Sequence, residues 1–206
     1  MTPGPADASV SVRLLLVLTA YLLGTAPFAS LCVRWLRRQN LSDLGSGNLG
    51  ATNVWRATGL TAGLVVACLD LAKGAVSVQV ARHWAAGTGW PAVAACAAVI
   101  GHIYPAWRGF RGGKGVATAC GAFLLLTPAA VGAAVVAFAV GIAWMRAVSA
   151  GSMLAAIVLP VGAWAWGETA PVVLAATVTA GLILFRHRMN GYRLWQGTEP
   201  TVGVRV

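Results

Sequence analysis

The stretch Gly45-Ser46-Gly47-Asn48-Leu49-Gly50-Ala51-Thr52-Asn53-Val54-Trp55-Arg56 carries the densest chemistry in the chain. Glycines let backbone N–H groups approach a bound anion; Ser, Thr and Asn side chains add neutral hydrogen bonds, and Arg56 adds a planar, permanently charged fork. A second glycine turn, Gly112-Gly113-Lys114-Gly115, leads into an apolar run at Val116. There the positive end of a helix dipole and a mobile lysine would favour an anion again. A third polar group, Arg186-His187-Arg188-Met189-Asn190, ends the last apolar run, with His187 and Asn190 spaced to share one helical face. Asp70 and Lys73 have that same spacing inside the second apolar run, where they can neutralise each other. His102 reads as a satisfied core histidine or a partner of Tyr104.

Two of these stretches mimic nucleotide motifs. Gly45, Gly47 and Gly50 fit G-x-G-x-x-G, and Asp70 follows at a dinucleotide-binding distance. That fingerprint needs a preceding strand within a βαβ unit, whereas an apolar helical run and Arg37-Arg38 precede these glycines. The second turn lacks the P-loop pattern, since Arg108 stands in place of its first glycine and Gly115 in place of its Ser or Thr. The physics of anion binding transfers, but the nucleotide reading does not.

The elements that position these groups are membrane helices. Of the 206 residues, 58% are hydrophobic and 10% charged, with a mean hydropathy of +0.76, outside the range of soluble domains. Apolar runs near 11–33, 60–82, 88–107, 115–127, 129–146, 149–166 and 170–187 suggest seven transmembrane helices, with a break at Thr127-Pro128 giving two short helices rather than one. On that reading twelve of the fifteen Lys and Arg residues lie on one side: Arg34, Arg37, Arg38, Arg56, Arg108, Arg111, Lys114, Arg146, Arg186, Arg188, Arg193 and Arg205. The positive-inside rule then places the N-terminus outside and the C-terminus in the cytoplasm. Tryptophans agree: Trp35, Trp55, Trp107, Trp144 and Trp195 fall near inner ends, and Trp84, Trp90, Trp164 and Trp166 near outer ends. All three anion-binding stretches thus belong to the cytoplasmic side, while the outer connections hold only Arg82, His83, Thr88, Glu168, Thr169 and little else that is polar.

The chain reads as one all-α, polytopic integral membrane domain over 1–206. Its net charge of +10 orients it and serves anionic lipid or substrate, since no soluble domain is present to bind nucleic acid. The first apolar run continues past Tyr21 to Ser30 and ends at a basic cluster, so it is kept as a span rather than a signal peptide. Cys32, Cys68, Cys96 and Cys120 fall in apolar runs without metal-ligand spacing and read as small buried apolar residues.

Taken in order, GSGNLGATNVWR, the Leu69 to Gly74 block, Gly101 to Pro105 with GGKGVAT, and RHRMN-x-x-RL-x-x-GTE resemble the bacterial acyl-phosphate:glycerol-3-phosphate acyltransferase family. The resemblance runs from the first span to the tail. It implies transfer of a fatty acyl group from acyl phosphate to a glycerol 3-phosphate hydroxyl, giving lysophosphatidic acid for phospholipid synthesis in the bacterial plasma membrane. It also implies Ser46, Arg56, Lys114, His187 and Asn190 as the catalytic centre. Arg56, His187 and Asn190 would meet the glycerol phosphate. Lys114 and the N–H groups of Gly112, Gly113 and Gly115, with Asn48 and Thr52, would hold the acyl phosphate, and Gly47, Gly50 and Asn53 complete the substrate-binding set. The lipid bilayer and the enzyme that makes acyl phosphate are the implied partners.

Acyl phosphate is an activated mixed anhydride, so neither metal nor cofactor is expected. Three routes deprotonate or replace the attacking hydroxyl: His187 as base, with an ordinary pKa near 6.5; the substrate's own phosphate; or a covalent acyl-Ser46, which lacks a legible Ser–His–Asp arrangement. An anion transporter is the rival class, but its site would be expected at the midplane between repeats, and no repeat is visible here. A lipid-binding scaffold would leave the glycine-rich loops unexplained.

Overall fold

The computed structural model describes residues 9–85, 87 and 89–202. Among them are ten α-helices and no strand: α1 Val10–Gly24, α2 Phe28–Arg37, α3 Ala51–Thr58, α4 Leu60–Trp84, α5 Gly89–Ile103, α6 Val116–Leu126, α7 Pro128–Met145, α8 Val148–Ala165, α9 Ala170–Arg186 and α10 Arg188–Trp195. Arg205, counted among the inward cations, and Thr88, where the third apolar run begins, lie outside the described residues. The chain divides into two compact units, 1–126 and 127–206.

Each of the seven apolar runs holds a helix, but the number long and apolar enough to cross a membrane is smaller. Four qualify among the described residues: Val10–Arg37, Leu60–Trp84, Pro128–Met145 and Val148–Ala165, with a fifth if α9 and α10 act as one bent span. At 15 and 11 residues, α5 and α6 reach only about 22 and 17 Å at 1.5 Å per residue, against a hydrocarbon core of about 30 Å. By length and composition alone, four or five of the seven apolar runs are span candidates among the described residues.

The first run is not one helix. Pro27 has no N–H and its ring crowds the carbonyl one turn back, so α1 stops at Gly24 and α2 restarts at Phe28. The Ala26 carbonyl exposed by this break accepts a hydrogen bond from Lys73 Nζ at 3.1 Å, a necessary partner inside an apolar layer. At Thr127-Pro128 two helices are present as expected, with Pro128 opening α7.

In the first unit α1 packs on α5, and α4 packs on α6. The α4–α6 seam is backbone against backbone: a Cβ on Gly74 would overlap the Thr118 carbonyl, and one on Gly121 the Leu71 carbonyl. Gly24 and Gly101 meet the Ala98 and Tyr21 carbonyls in the same way between α1 and α5. Such small-residue contacts let helices approach closely where apolar driving force is weak. Val33, Leu41, Val54 and Val66 form a fully buried cluster that locks α2, α3 and α4 around the glycine-rich loop.

In the second unit α7 packs on α8, and α8 on α9. Helix α10, which the apolar pattern did not announce, leaves α9 at 55° with His187 at the junction. Arg188 closes the end of α9 by donating Nη1 to the Phe185 carbonyl at 3.1 Å and stacking 4.4 Å from the Phe185 ring. Helix-end tryptophans are outward, with Trp35 83%, Trp144 82% and Trp195 83% exposed. The cysteines are free, but none is buried as expected: Cys68 is exposed and the other three are partly so, so these runs turn part of their apolar surface outward.

Candidate active site

The glycine-rich block is a loop that runs into α3. Its left-handed residues, Gly45 at φ 54° and Gly47 at φ 67°, turn the chain where a side chain would be strained. Asn53 holds that turn from inside. It is 1% exposed, accepts the Ser46 N–H at Oδ1 (3.2 Å) and donates Nδ2 to the carbonyls of Leu44 (2.9 Å) and Leu41 (3.4 Å). Asn53 was expected to touch substrate; its amide is instead committed to the loop's own backbone. Ser46 is exposed, while Gly47, Asn48, Gly50, Thr52 and Arg56 are half-buried. Thr52 and Arg56, four apart on α3, share a face.

The second glycine turn is likewise held by its own backbone. Gly112 N–H donates to the Ile103 carbonyl (3.0 Å) and Gly113 N–H to the His102 carbonyl (3.1 Å). These two donors shape the turn rather than point at an anion. Gly115 packs against Val99 and Ile103 of α5 and hands the chain to α6 at Val116. Lys114 is half-buried beside them.

Behind the turn lies a polar cluster. Asp70 Oδ1 and Lys73 Nζ pair at 2.8 Å, as their spacing suggested. His102 Nδ1 lies 3.5 Å from Asp70 Oδ1 and 3.2 Å from Thr118 Oγ1, which makes it the satisfied core histidine of the sequence reading. Asp70, Lys73 and His102 border a cleft that is also walled by Pro27, Phe28, Leu49, Trp107, Arg108, Gly112 and Gly113. The glycine-rich loop, through Leu49, and the glycine turn therefore face one cleft. Arg108 is steadied at its rim by Nη1 donating to Ser30 Oγ at 3.1 Å.

The second unit holds His187 and Asn190, 3% and 8% exposed. His187 Nδ1 lies 2.8 Å from the Ile183 carbonyl. A carbonyl only accepts, so Nδ1 carries the hydrogen and Nε2 is the acceptor of the neutral ring. Asn190 Nδ2 donates to Glu199 Oε1 at 2.6 Å. The same oxygen accepts from Ser149 Oγ (2.7 Å), and Arg193 Nε pairs with Oε2 (2.7 Å). Burial pushes the Glu199 carboxyl up, but hydrogen bonds from Ser149, Asn190 and Arg193 and the arginine charge outweigh it and hold the group below its ordinary range. Glu199 was absent from the expected site set. Its signal was its isolation, as the single carboxylate in a tail otherwise rich in cations.

A protein-family profile described as glycerol-3-phosphate acyltransferase matches residues 14–197. The glycerol-3-phosphate acyltransferase of Anaeromyxobacter sp. (strain Fw109-5) is 43% identical, with 93% of this chain and 97% of that protein covered. That of Parasynechococcus marenigrum (strain WH8102) is 42% identical over 96% and 93%. Among solved structures, the crystal structure of PlsY (YgiH), an integral membrane glycerol 3-phosphate acyltransferase, superposes in its glycerol 3-phosphate form with a TM-score of 0.87 at 36% identity, covering 93% of this chain and 96% of that one. Its lysophosphatidic acid form gives 0.85 at 35% identity. With a family profile matching residues 14–197, relatives above 40% identity across most of the chain and a superposable helical fold, this chain belongs to the glycerol-3-phosphate acyltransferase family.

Proposed function

We propose that this chain transfers a fatty acyl group from acyl phosphate to a hydroxyl of glycerol 3-phosphate, releasing lysophosphatidic acid and phosphate on the cytoplasmic side of a bacterial plasma membrane. One observation carries the reading: the 36%-identical PlsY structures are a glycerol 3-phosphate form and a lysophosphatidic acid form, and these molecules differ by one acyl group. The donor must therefore supply an activated acyl carbon. Acyl phosphate suits a chain whose polar motifs offer cations and glycine turns.

The hydroxyl oxygen of glycerol 3-phosphate attacks the acyl carbon, forming the ester bond. The carbon–oxygen bond of the mixed anhydride breaks, and phosphate leaves with the electron pair. Arg56 and Lys114 neutralise the two phosphates, and Ser46 donates to charge developing on the acyl oxygen or phosphate. His187 orients the attacking hydroxyl, while the proton passes to the acceptor's own phosphate. Asn190, whose NH2 donates to Glu199, joins His187 at the acceptor. The enzyme that makes acyl phosphate is the natural partner, since the mixed anhydride hydrolyses if released.

Purified protein in detergent, supplied with glycerol 3-phosphate and either acyl phosphate or acyl-CoA, tests the reading. Lysophosphatidic acid and phosphate forming one to one from acyl phosphate are the expected products, with no sealed vesicle required. Product from acyl-CoA alone would overturn the donor assignment.

A further inference from the structure

The proposed chemistry makes no use of Asp70, Lys73, His102 or Thr118, yet these are among the most enclosed polar side chains of the first unit. The side chains of Asp70 and Lys73 are each 4% exposed and that of His102 is 7% exposed. They form a continuous line. The Ala26 carbonyl, at the break between α1 and α2, accepts from Lys73 Nζ (3.1 Å); Lys73 pairs with Asp70 Oδ1 (2.8 Å); and His102 Nδ1 meets Asp70 Oδ1 (3.5 Å) and Thr118 Oγ1 (3.2 Å).

The far end of the imidazole touches the glycine turn. A Cβ on Gly113 would fall on His102 Nε2, so Gly113 backs directly onto the ring. The same residue's carbonyl accepts the Gly113 N–H, and the next carbonyl, of Ile103, accepts that of Gly112. His102 thus grips the turn through both ring and backbone, one residue before Lys114. Burying an ion pair and an imidazole here carries a desolvation cost that packed apolar side chains would avoid. The geometry accounts for their presence by what they fix.

We infer that His102 is a positioning residue: its ring, clamped at Nδ1 by Asp70 and Thr118, is a strut that sets where Gly113 sits and so where Lys114 reaches its substrate phosphate. This rests on the reading that Lys114 meets a phosphate. Through Lys73 and Ala26 the strut is anchored to the broken first helix pair, so the turn keeps its place relative to α2, which packs against the glycine-rich loop.

The test is steady-state kinetics of detergent-purified variants, with each protein's thermal midpoint as a check on folding. His102→Ala should lower kcat/KM by about a hundredfold, the order expected of a misplacement near 1 Å, with KM for one phosphate substrate rising more than kcat falls. His102→Gln, whose amide reaches the position of Nε2, should recover to within about tenfold of wild type, the scale of one hydrogen-bond difference. His102→Asn, which mimics only Nδ1, should stay low. Equal rescue by both, or wild-type kinetics for His102→Ala, overturns the strut. If His102→Ala does not fold, the Gln and Asn pair decides alone.

A double-mutant cycle adds an independent arm. Gly113→Ala should be far more damaging in the wild type than in His102→Ala, where the added methyl has room; additive losses overturn the contact. Lys114→Ala separates the two levels. Full activity for Lys114→Ala overturns the site reading and the strut with it, whereas lost activity beside normal His102→Ala kinetics removes the strut alone.

Discussion

Asn190 Nδ2 and Glu199 Oε1 are joined by a 2.6 Å hydrogen bond, and that contact fixes which end of the asparagine amide is turned toward the carboxylate. Glu199 also takes Ser149 and Arg193, so α8, α10 and the tail meet at one anion. Glu199→Gln places a donor where only acceptors fit. It should lower kcat/KM by about tenfold or more and reduce the thermal midpoint, as expected when a buried charge-assisted contact is broken. A wild-type midpoint in that variant would contradict the arrangement.

The same carboxylate makes stability depend on pH. Its ionisation in the fold lies below the ordinary value of 4.5, so its contribution is fully present above 4.5 and is lost as pH falls from there through the depressed folded value. Thermal midpoints of wild type and Glu199→Gln, measured in detergent by circular dichroism, should differ at neutral pH and converge progressively below 4.5. A constant gap across that range would count against the assignment.

His187 holds Nδ1 against the Ile183 carbonyl, and in the proposed reaction the Nε2 edge of the ring orients the acceptor hydroxyl. His187→Gln should therefore keep more activity than His187→Asn. If instead His187 is the general base, both variants should lose about 10² to 10⁴ in kcat, and the acidic limb of the wild-type pH–rate profile should vanish with them. Kinetics of the two variants across pH 5–9 separate orientation from proton removal.

Asn53 supports the loop from within, so Asn53→Ala removes one of the donors to each of the Leu41 and Leu44 carbonyls and the side-chain acceptor of the Ser46 N–H. A loss of about 1–3 kcal/mol in stability is expected, together with a fall in kcat/KM. Ser46→Ala, at an exposed position, should fall in kcat by about 10²-fold, as for loss of one oxyanion donor, with little change in thermal midpoint. Acid-quenched wild type analysed by mass spectrometry should carry no acyl group on Ser46; an adduct there would mean a covalent route.

Arg56→Lys keeps the charge and loses the planar fork. We expect a rise of about tenfold in KM for glycerol 3-phosphate without rescue of kcat/KM, because the two side chains recognise phosphate differently. Titration of both substrates decides it, and an unchanged KM for both would remove Arg56 from phosphate binding.

Much of this was legible from residue type and spacing. The two glycine turns, the Asp70–Lys73 pair and the helix pair around Thr127-Pro128 all follow from local sequence, because each is built within a few residues. What local pattern does not encode is direction. The formula SGNLGATN gives no sign that Asn53 is buried while Ser46 is exposed, nor does GGKG show that the Gly112 and Gly113 N–H groups turn back to α5. The His102–Asp70 contact links residues on different helices, and no periodicity announces it. Pro27 did carry its signal, but the apolar run continues across it and hid the break. The shortness of α5 and α6 was hidden for a related reason: hydropathy reports burial and not length.

The α4–α6 seam has one more consequence. Gly74 and Gly121 approach each other's helices with no side chain between, so a library of random substitutions scored for growth should show both positions intolerant. They sit far from Ser46 and Lys114 in role, yet their mutational profile would look like that of catalytic residues. Purified variants would tell the two apart, since alanine at either glycine should reduce the yield of folded protein while the surviving fraction turns over at the wild-type rate.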